Sequence, residues 1–141
     1  MSINFFSEDI DFNLASKNKI RNWIKLSIEN ELKKTGLINI IFTSDNYLLD
    51  INKKYLSHNY LTDIITFNYC EKNTINGDIY ISIETVLNNS KRFIVSFEDE
   101  IRRVIIHGIL HLIGYNDSTN GEKIQMREKE NNYLDRYKNL L

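Results

Sequence analysis

Residues 97–117 read FEDEIRRVIIHGILHLIGYND. The apolar residues of this stretch lie nearly all round the helix that it predicts, which indicates a helix at the centre of the protein. Ser96 precedes it as a cap, and acidic residues occupy the first turn, where the helix dipole is positive. We expect the helix to end at about Ile113.

The same stretch carries a candidate metal site. His107 and His111 are four residues apart, which places them on one helix face about 6 Å apart along the axis. Gly114 stops the helix and lets the chain turn back, so that Asp117 reaches the histidines from a third direction. Two imidazoles and a carboxylate leave a fourth position open for water, which is the catalytic arrangement. Two alternatives are a chance histidine pair and an Asx turn at Asp117.

The residue after the first histidine argues against the usual peptidase mechanism. Peptidases with this zincin-type layout carry glutamate there as the general base, whereas this chain has Gly108. The usual peptidase mechanism therefore lacks its base. The pattern favours another hydrolysis, with phosphodiesters as a candidate substrate class.

Hydrophobic periodicity predicts strands and helices intermixed along one domain, residues 1–141. The predicted strands are 2–6, 37–43, 63–69 and 77–83, and the other predicted helices are about 14–34, 44–55, 84–93 and 122–137. Gly36 is a natural cap at the end of the first helix, and the last two strands form a hairpin. The fold class is therefore α+β, with a mixed sheet packed against helices and a zincin-like metal helix.

Composition excludes several classes of protein. The 141 residues carry 18 lysines and arginines against 19 acidic residues, so this is not a strongly basic nucleic-acid binder of the histone type. No apolar run reaches the ~18 residues of a membrane span, and the N-terminus lacks a secretory pattern. The single cysteine, Cys70, permits no internal disulfide. We expect a cytoplasmic protein with no membrane partner.

Residues 107–117, HGILHLIGYND, resemble the signature His-Gly-x-Leu-His-Leu-x-Gly-Tyr-Asp-His of the YbeY family of metal-dependent endoribonucleases. Four further blocks match family patterns in the expected order. They are Ile51-Asn52 with Tyr55, LTDIITF at 61–67, GDIYI at 77–81 and MREKE at 126–130. The resemblance covers about residues 40 to 135.

The resemblance implies a zinc-dependent endoribonuclease specific for single-stranded RNA. It implies a role in maturing the 3′ end of small-subunit (16S) ribosomal RNA and in ribosome quality control, hence the small ribosomal subunit as partner. Carried over by position, His107, His111 and the residue at 117 hold one Zn²⁺ ion, and catalysis proceeds through its bound water. Protein partners remain open.

The chain departs from the family pattern at three positions. Asp117 replaces the third histidine, and aspartate is a competent zinc ligand. Asn116 replaces an aspartate and receives no role. Leu56 stands where the family has an arginine proposed to aid RNA binding or catalysis. That role is either lost or supplied by a nearby basic residue, and the RNA-binding candidates are His58, Lys53 and Lys54.

Several polar residues are interpreted as structural. Arg102 and Arg103 lie one turn before His107 and are expected to solvate a helix face, with phosphate contact as the alternative. Thr62, Asp63 and Asp78 flank strands that the resemblance places near the cleft, and we expect ordinary turn and strand-end hydrogen bonds there. The alternative is support of the metal helix or positioning of the substrate. Cys70 has no cysteine or histidine at metal-ligand spacing and is expected to be structural.

The sequence leaves open the route of RNA cleavage and two rival functions. Cleavage proceeds either by water attack or by attack of the ribose 2′-hydroxyl. A first rival function is a metallohydrolase acting on a small amide or peptide. A second is a ribosome-associated binding protein whose metal is structural.

Overall fold

Strands and helices are intermixed along the chain, as the hydrophobic periodicity predicts. The computed structural model describes residues 2–57 and 62–140. The strands are β1 (Ser2–Ser7), β2 (Lys34–Thr43), β3 (Ile64–Asn68) and β4 (Thr74–Ser82), and the helices are α1 (Lys17–Asn30), α2 (Asp45–Leu56), α3 (Ile83–Phe93), α4 (Phe97–Ile113) and α5 (Asn120–Lys138). The order of elements is confirmed, and α4 has the predicted bounds.

The strands form one mixed sheet in the order β1-β2-β4-β3. β2 pairs in parallel with both β1 and β4, while β3 and β4 form the antiparallel hairpin predicted from the sequence. The parallel pairs are connected through helices, because a parallel connection must carry the chain back to the same end of the sheet. The α+β class with a mixed sheet is confirmed.

Helices cover both faces of β3. Successive strand residues point to opposite faces, and Ile64 meets α4 while Ile65 packs with Leu48 and Ile51 of α2. α4 approaches the sheet closely at Gly108, where a Cβ would lie 2.8 Å from Ile64 Cδ1. Although α4 is buried along most of its length, no helix within residues 2–57 and 62–140 is long and apolar enough to cross a membrane.

The first helix ends earlier than predicted, and the role predicted for Gly36 is wrong. α1 ends at Asn30, and Leu32 turns the chain with a φ of 62° before β2 begins at Lys34. Gly36 lies inside β2, where a Cβ would fall 2.1 Å from Asn76 Oδ1. The glycine is required by this close approach of another strand, not by a helix end.

α5 is highly charged, yet one of its faces is buried. Met126, Glu130, Tyr133 and Tyr137 form this face. The Trp23 indole of α1 donates to the Tyr133 carbonyl at 2.7 Å and packs edge-on against Tyr137. α5 also packs against α4, and this contact brings the carboxylate of Glu130 beneath the histidine-bearing helix.

Candidate metal centre

The two histidines of α4 point to one spot. His107 Nε2 and His111 Nε2 are 2.9 Å apart, as expected for side chains one turn apart on the same helix face. Asp117 Oδ2 lies 3.2 Å from His107 Nε2 and 3.3 Å from His111 Nε2. The structure therefore brings together the three side chains that the sequence predicts as metal ligands.

Asp117 is held by a short loop with defined ends. Gly114 ends α4 with a φ of 125°, a conformation that other residues rarely adopt, and its N–H donates to the Leu110 carbonyl at 3.1 Å. At the far end, Thr119 and Glu122 form a capping box that begins α5. These local signals turn the chain back so that Asp117 faces the histidines.

The half-buried carboxylate of Glu31, the residue that caps the end of α1, ties this loop to the rest of the fold. The Tyr115 hydroxyl donates to Glu31 Oε1 at 2.5 Å, the Tyr133 hydroxyl donates to Glu31 Oε2, and Lys129 Nζ lies 3.2 Å from the same oxygen. Burial alone raises the pKa of Glu31, but these three donors outweigh it and lower that pKa. Burial and the bond to Glu31 raise the pKa of Tyr133 to about 12.

His107 is oriented by Glu130, a contact that sequence reasoning did not assign. Glu130 Oε2 lies 2.6 Å from His107 Nδ1. A carboxylate only accepts, so Nδ1–H donates and the Nε2 lone pair faces the cluster, as in metal-bound histidines. Burial lowers the pKa of His107, but the bond to Glu130 and the charges of Asp117 and Asp63 outweigh it and raise that pKa. The pKa of Glu130 is lowered, because His107 and Arg103 overcome its desolvation.

The prediction that Arg103 only solvates a helix face is wrong, because its guanidinium is half-buried and contacts two side chains of α5. Arg103 Nη1 donates to Glu130 Oε1 at 2.9 Å and Nη2 donates to Asn131 Oδ1 at 3.0 Å. Arg102 differs: it pairs with Asp99 at 2.8 Å on the helix surface. The only sequence signal for the Arg103–Glu130 contact is that Glu130 follows Met126 by four residues on the buried face of α5.

The donor set fits a zinc ion. Nitrogen and oxygen ligands lie at about 2.0–2.2 Å from zinc, so the ligand atoms of a tetrahedral site stand roughly 3.3–3.6 Å apart. The separations of 2.9, 3.2 and 3.3 Å in this cluster are close to that range. The His107, His111 and Asp117 side chains are 22%, 24% and 42% exposed, which leaves one side of the cluster open. The arrangement suits a metal with a free coordination position.

A cleft of about 620 Å³ opens beside the cluster, between α3, α4 and α5. His107 and Asp117 line it together with the carboxylates of Asp63 and Glu100. Burial raises the pKa of both Asp63 and Glu100, more than neighbouring positive charges lower it. Asp63 therefore faces the cleft, near which the family resemblance places this segment, and is not confined to the hydrogen bonds of a strand end.

Gly108 explains why this site lacks the peptidase glutamate. The position faces the sheet and not the cleft, and a Cβ there would lie 2.8 Å from Ile64 Cδ1 and 3.0 Å from Ile79 Cγ2. A glutamate at 108 would be forced into this contact between helix and sheet. Any protein base must therefore come from elsewhere in the cleft.

The predicted RNA-binding residues are separate from the cluster where the structure describes them. Lys53 and Lys54 lie in the last turn of α2, exposed, and are not among the described residues that line the cleft. His58 lies outside the described residues. Cys70 Sγ contacts the Asn76 and Leu112 carbonyls at 3.3 and 3.4 Å, in agreement with a structural role.

Comparison with known proteins agrees with the geometry. A sequence model described as "Endoribonuclease YbeY" matches residues 2–138. A relative from Parabacteroides distasonis with the same description is 47% identical, over 95% of this chain and 94% of its own length. A Christiangramia forsetii relative is 50% identical, over 91% and 89%. The solution structure of TM1509 from Thermotoga maritima aligns with a TM-score of 0.70 at 27% identity, covering 96% of this chain and 89% of that one. With the family pattern spanning nearly the whole sequence and its histidine pair placed on one helix face, the chain belongs to the YbeY endoribonuclease family.

Proposed function

We propose that this protein cleaves phosphodiester bonds in single-stranded RNA with one Zn²⁺ ion held by His107, His111 and Asp117. The observation that carries the proposal is the convergence of three ligand atoms within 3.3 Å of one another on a partly exposed surface. A closed structural site would have a fourth protein ligand and little exposure. Membership of an endoribonuclease family supports RNA as the substrate.

The residues around the cluster each have a physical task in this proposal. A divalent ion supplies Lewis acidity, which polarises a phosphate oxygen and lowers the pKa of water. Glu130 holds the His107 ring with Nε2 facing the cluster, and Arg103 balances the charge of that buried carboxylate. Tyr115 and Glu31 hold the loop that presents Asp117.

The cleft also suits a phosphodiester better than a peptide. Arg127 and Lys123 of α5 line it and are exposed to phosphate oxygens, and the pairing of Arg127 with Glu130 is long, at 3.7 Å. Gly108 removes the base that peptidases of this layout use. Asp63 lines the cleft outside the three-ligand cluster, and burial raises the pKa of its carboxyl, so it is our candidate for proton transfer during cleavage.

In the cell, we propose that the substrate is the 3′ end of 16S ribosomal RNA within the small ribosomal subunit, with a further role in ribosome quality control. The support is the family assignment and the bacterial relatives. This substrate places the protein in the cytoplasm, where bacterial ribosomes assemble.

The test compares substrates and variants side by side. Purified, zinc-loaded protein is assayed on single-stranded RNA, the same RNA in duplex form, and a peptide. We expect cleavage of the single strand alone. Asp117→Ala is expected to lose both bound zinc and cleavage, whereas Asp50→Ala, which removes an exposed carboxylate of α2, retains both. Peptide cleavage, or RNA cleavage that survives zinc removal, would contradict the proposal.

The ends of the products separate the two cleavage routes. Attack by water leaves no cyclic phosphate, whereas attack by the ribose 2′-hydroxyl leaves a 2′,3′-cyclic phosphate. We propose attack by water, and cyclic-phosphate ends would overturn that choice.

Global unfolding of the protein on removal of zinc would indicate that the ion is structural and not catalytic.

A further inference from the structure

Positive charge is concentrated in one segment of this nearly neutral chain. Residues 17–34 hold six of the 18 lysines and arginines, but only two of the 19 aspartates and glutamates. One of these two acids, Glu31, is bonded to Tyr115, Tyr133 and Lys129. The segment therefore presents a strong local excess of positive charge.

The fold gathers these charges along one surface. Lys17, Arg21 and Lys25 are spaced four residues apart, so they share one face of α1. The chain then returns through Lys33 and Lys34 into β2. Arg21, Lys25, Lys33 and Lys34 together line a groove of about 700 Å³ between α1 and the first residues of β1 and β2, which we call the α1 groove.

The cations of the α1 groove are not neutralised within the described residues. Arg21 donates to the Ile3 carbonyl at 2.9 Å and to Asn18 Oδ1 at 2.8 Å, and Lys33 donates to Asn73 Oδ1 at 3.2 Å. These acceptors are uncharged. Lys25 and Lys34 are exposed and form no ion pair in residues 2–57 and 62–140.

We propose that the α1 groove binds the phosphate backbone of single-stranded RNA at a second site, outside the metal cleft. The inference rests on the proposed function, since RNA is the polyanion that this protein would meet. Glu29 is the one acid among the described residues that line the groove, against four cations. Lysine and arginine contacts to phosphates supply most of the affinity in nucleic-acid binding that is independent of sequence.

The α1 groove is joined to the metal loop through α1. Its described lining shares no residue with the metal cleft. Glu31 stands at the end of α1, immediately before the turn to Lys33 and Lys34. Its carboxylate accepts a hydrogen bond from the hydroxyl of Tyr115, two residues before Asp117. RNA anchored in the groove therefore extends the substrate contact beyond the nucleotides at the metal.

The test removes two exposed lysines of the groove and compares them with two exposed lysines elsewhere. The groove variant is Lys25→Ala/Lys34→Ala, and the matched control is Lys91→Ala/Lys138→Ala in α3 and α5. Binding of a single-stranded RNA of about 30 nucleotides is measured by fluorescence anisotropy at several salt concentrations, in the His111→Ala background to suppress cleavage. Circular dichroism checks that each variant is folded.

The loss of two phosphate contacts in the groove variant should change both the salt dependence and the affinity of RNA binding. The slope of log K against log salt is expected to fall by about 1.4, and binding at low salt to weaken on the order of tenfold. The control pair should shift both values much less. Equal effects of the two variants, or an unchanged slope in the groove variant, would overturn the proposal. Equally tight, groove-dependent binding of polyglutamate would also overturn it, because the groove would then fit an acidic protein segment.

A cleavage assay separates this inference from the proposed function. In the otherwise unmodified, zinc-loaded protein, Lys25→Ala/Lys34→Ala should lower kcat/KM for the long RNA and leave the cleavage of a roughly four-nucleotide RNA unchanged. An equal loss on both lengths would contradict a site outside the cleft. If the unsubstituted protein cleaves neither RNA, the proposed function fails, while the binding comparison still decides the groove.

Discussion

Replacing Glu130 with glutamine is the sharpest test of the metal centre. Glu130 is 4% exposed, and its two oxygens accept from His107 Nδ1 at 2.6 Å and from Arg103 Nη1 at 2.9 Å. Glutamine has nearly the same shape but only one acceptor oxygen, so its NH₂ group must face one of the two donors. The substitution therefore removes a buried charge and one of two hydrogen bonds without leaving a cavity.

The expected loss is in zinc affinity. Substituting the residue that orients a metal-bound histidine weakens metal binding about 10- to 100-fold, which corresponds to roughly 1.4–2.7 kcal/mol. The size of the loss depends on pH. Glu130 raises the pKa of His107, so protons compete with the ion at higher pH in the original protein than in Glu130→Gln. The difference in affinity should be largest above the pKa of His107 and shrink as the pH falls through it.

The affinity is measured by competition with a chromophoric chelator over a range of pH, with the thermal transition as a check on folding. Glu128→Gln is the matched control, because Glu128 lines the same cleft on the same helix but is exposed. Both substitutions remove one negative charge near the site. If Glu128→Gln weakens zinc binding as much as Glu130→Gln, or if Glu130→Gln binds zinc normally, the orienting role assigned to Glu130 is refuted.

Four further predictions test other contacts. Asp117→His should retain zinc and RNA cleavage, because it restores the family's ligand on the same loop; loss of the ion would show that the loop geometry is specific for a carboxylate. Tyr133→Phe should reduce the loss of stability at alkaline pH, as measured by urea unfolding. The Tyr133 phenol has a pKa of about 12 in the folded protein and near 10 in the unfolded chain. Its contribution to the free energy of unfolding, at most roughly 3 kcal/mol, is therefore present below pH 10 and lost as the pH rises to 12. Glu31→Gln should lower the pKa of Tyr133, because its bond and charge help to raise it, and phenolate absorbance follows this shift; an unchanged titration would rule out the coupling. Gly108→Ala should destabilise the fold by about 1–3 kcal/mol in urea, since its Cβ would lie 2.8 Å from an isoleucine side chain of the sheet, and an unaffected midpoint would show that α4 moves away freely.

The features that local sequence predicts well are those with local causes. The predicted bounds of α4 are correct because both of its ends are set by nearby residues: the Ser96 side chain accepts from the Asp99 N–H, and Gly114 adopts a positive φ. The predicted end of α1 lies four residues too far along the chain. There the helix stops through the turn at Leu32, and the glycine that resembled a cap serves a contact with Asn76, 40 residues further along the chain.

The candidate ligands of the metal centre could be identified from the sequence alone, because two histidines one turn apart and a glycine-ended helix are a pattern of neighbours along the chain. Only the tertiary structure decided how that centre is supported: which carboxylate holds His107, which one anchors the loop of Asp117, and why position 108 faces the sheet. Glu130 and Glu31 lie 23 and 84 residues from the side chains they hold, His107 and Tyr115. Such contacts arise from the packing of α1, α4 and α5, and no periodicity within a single segment encodes them.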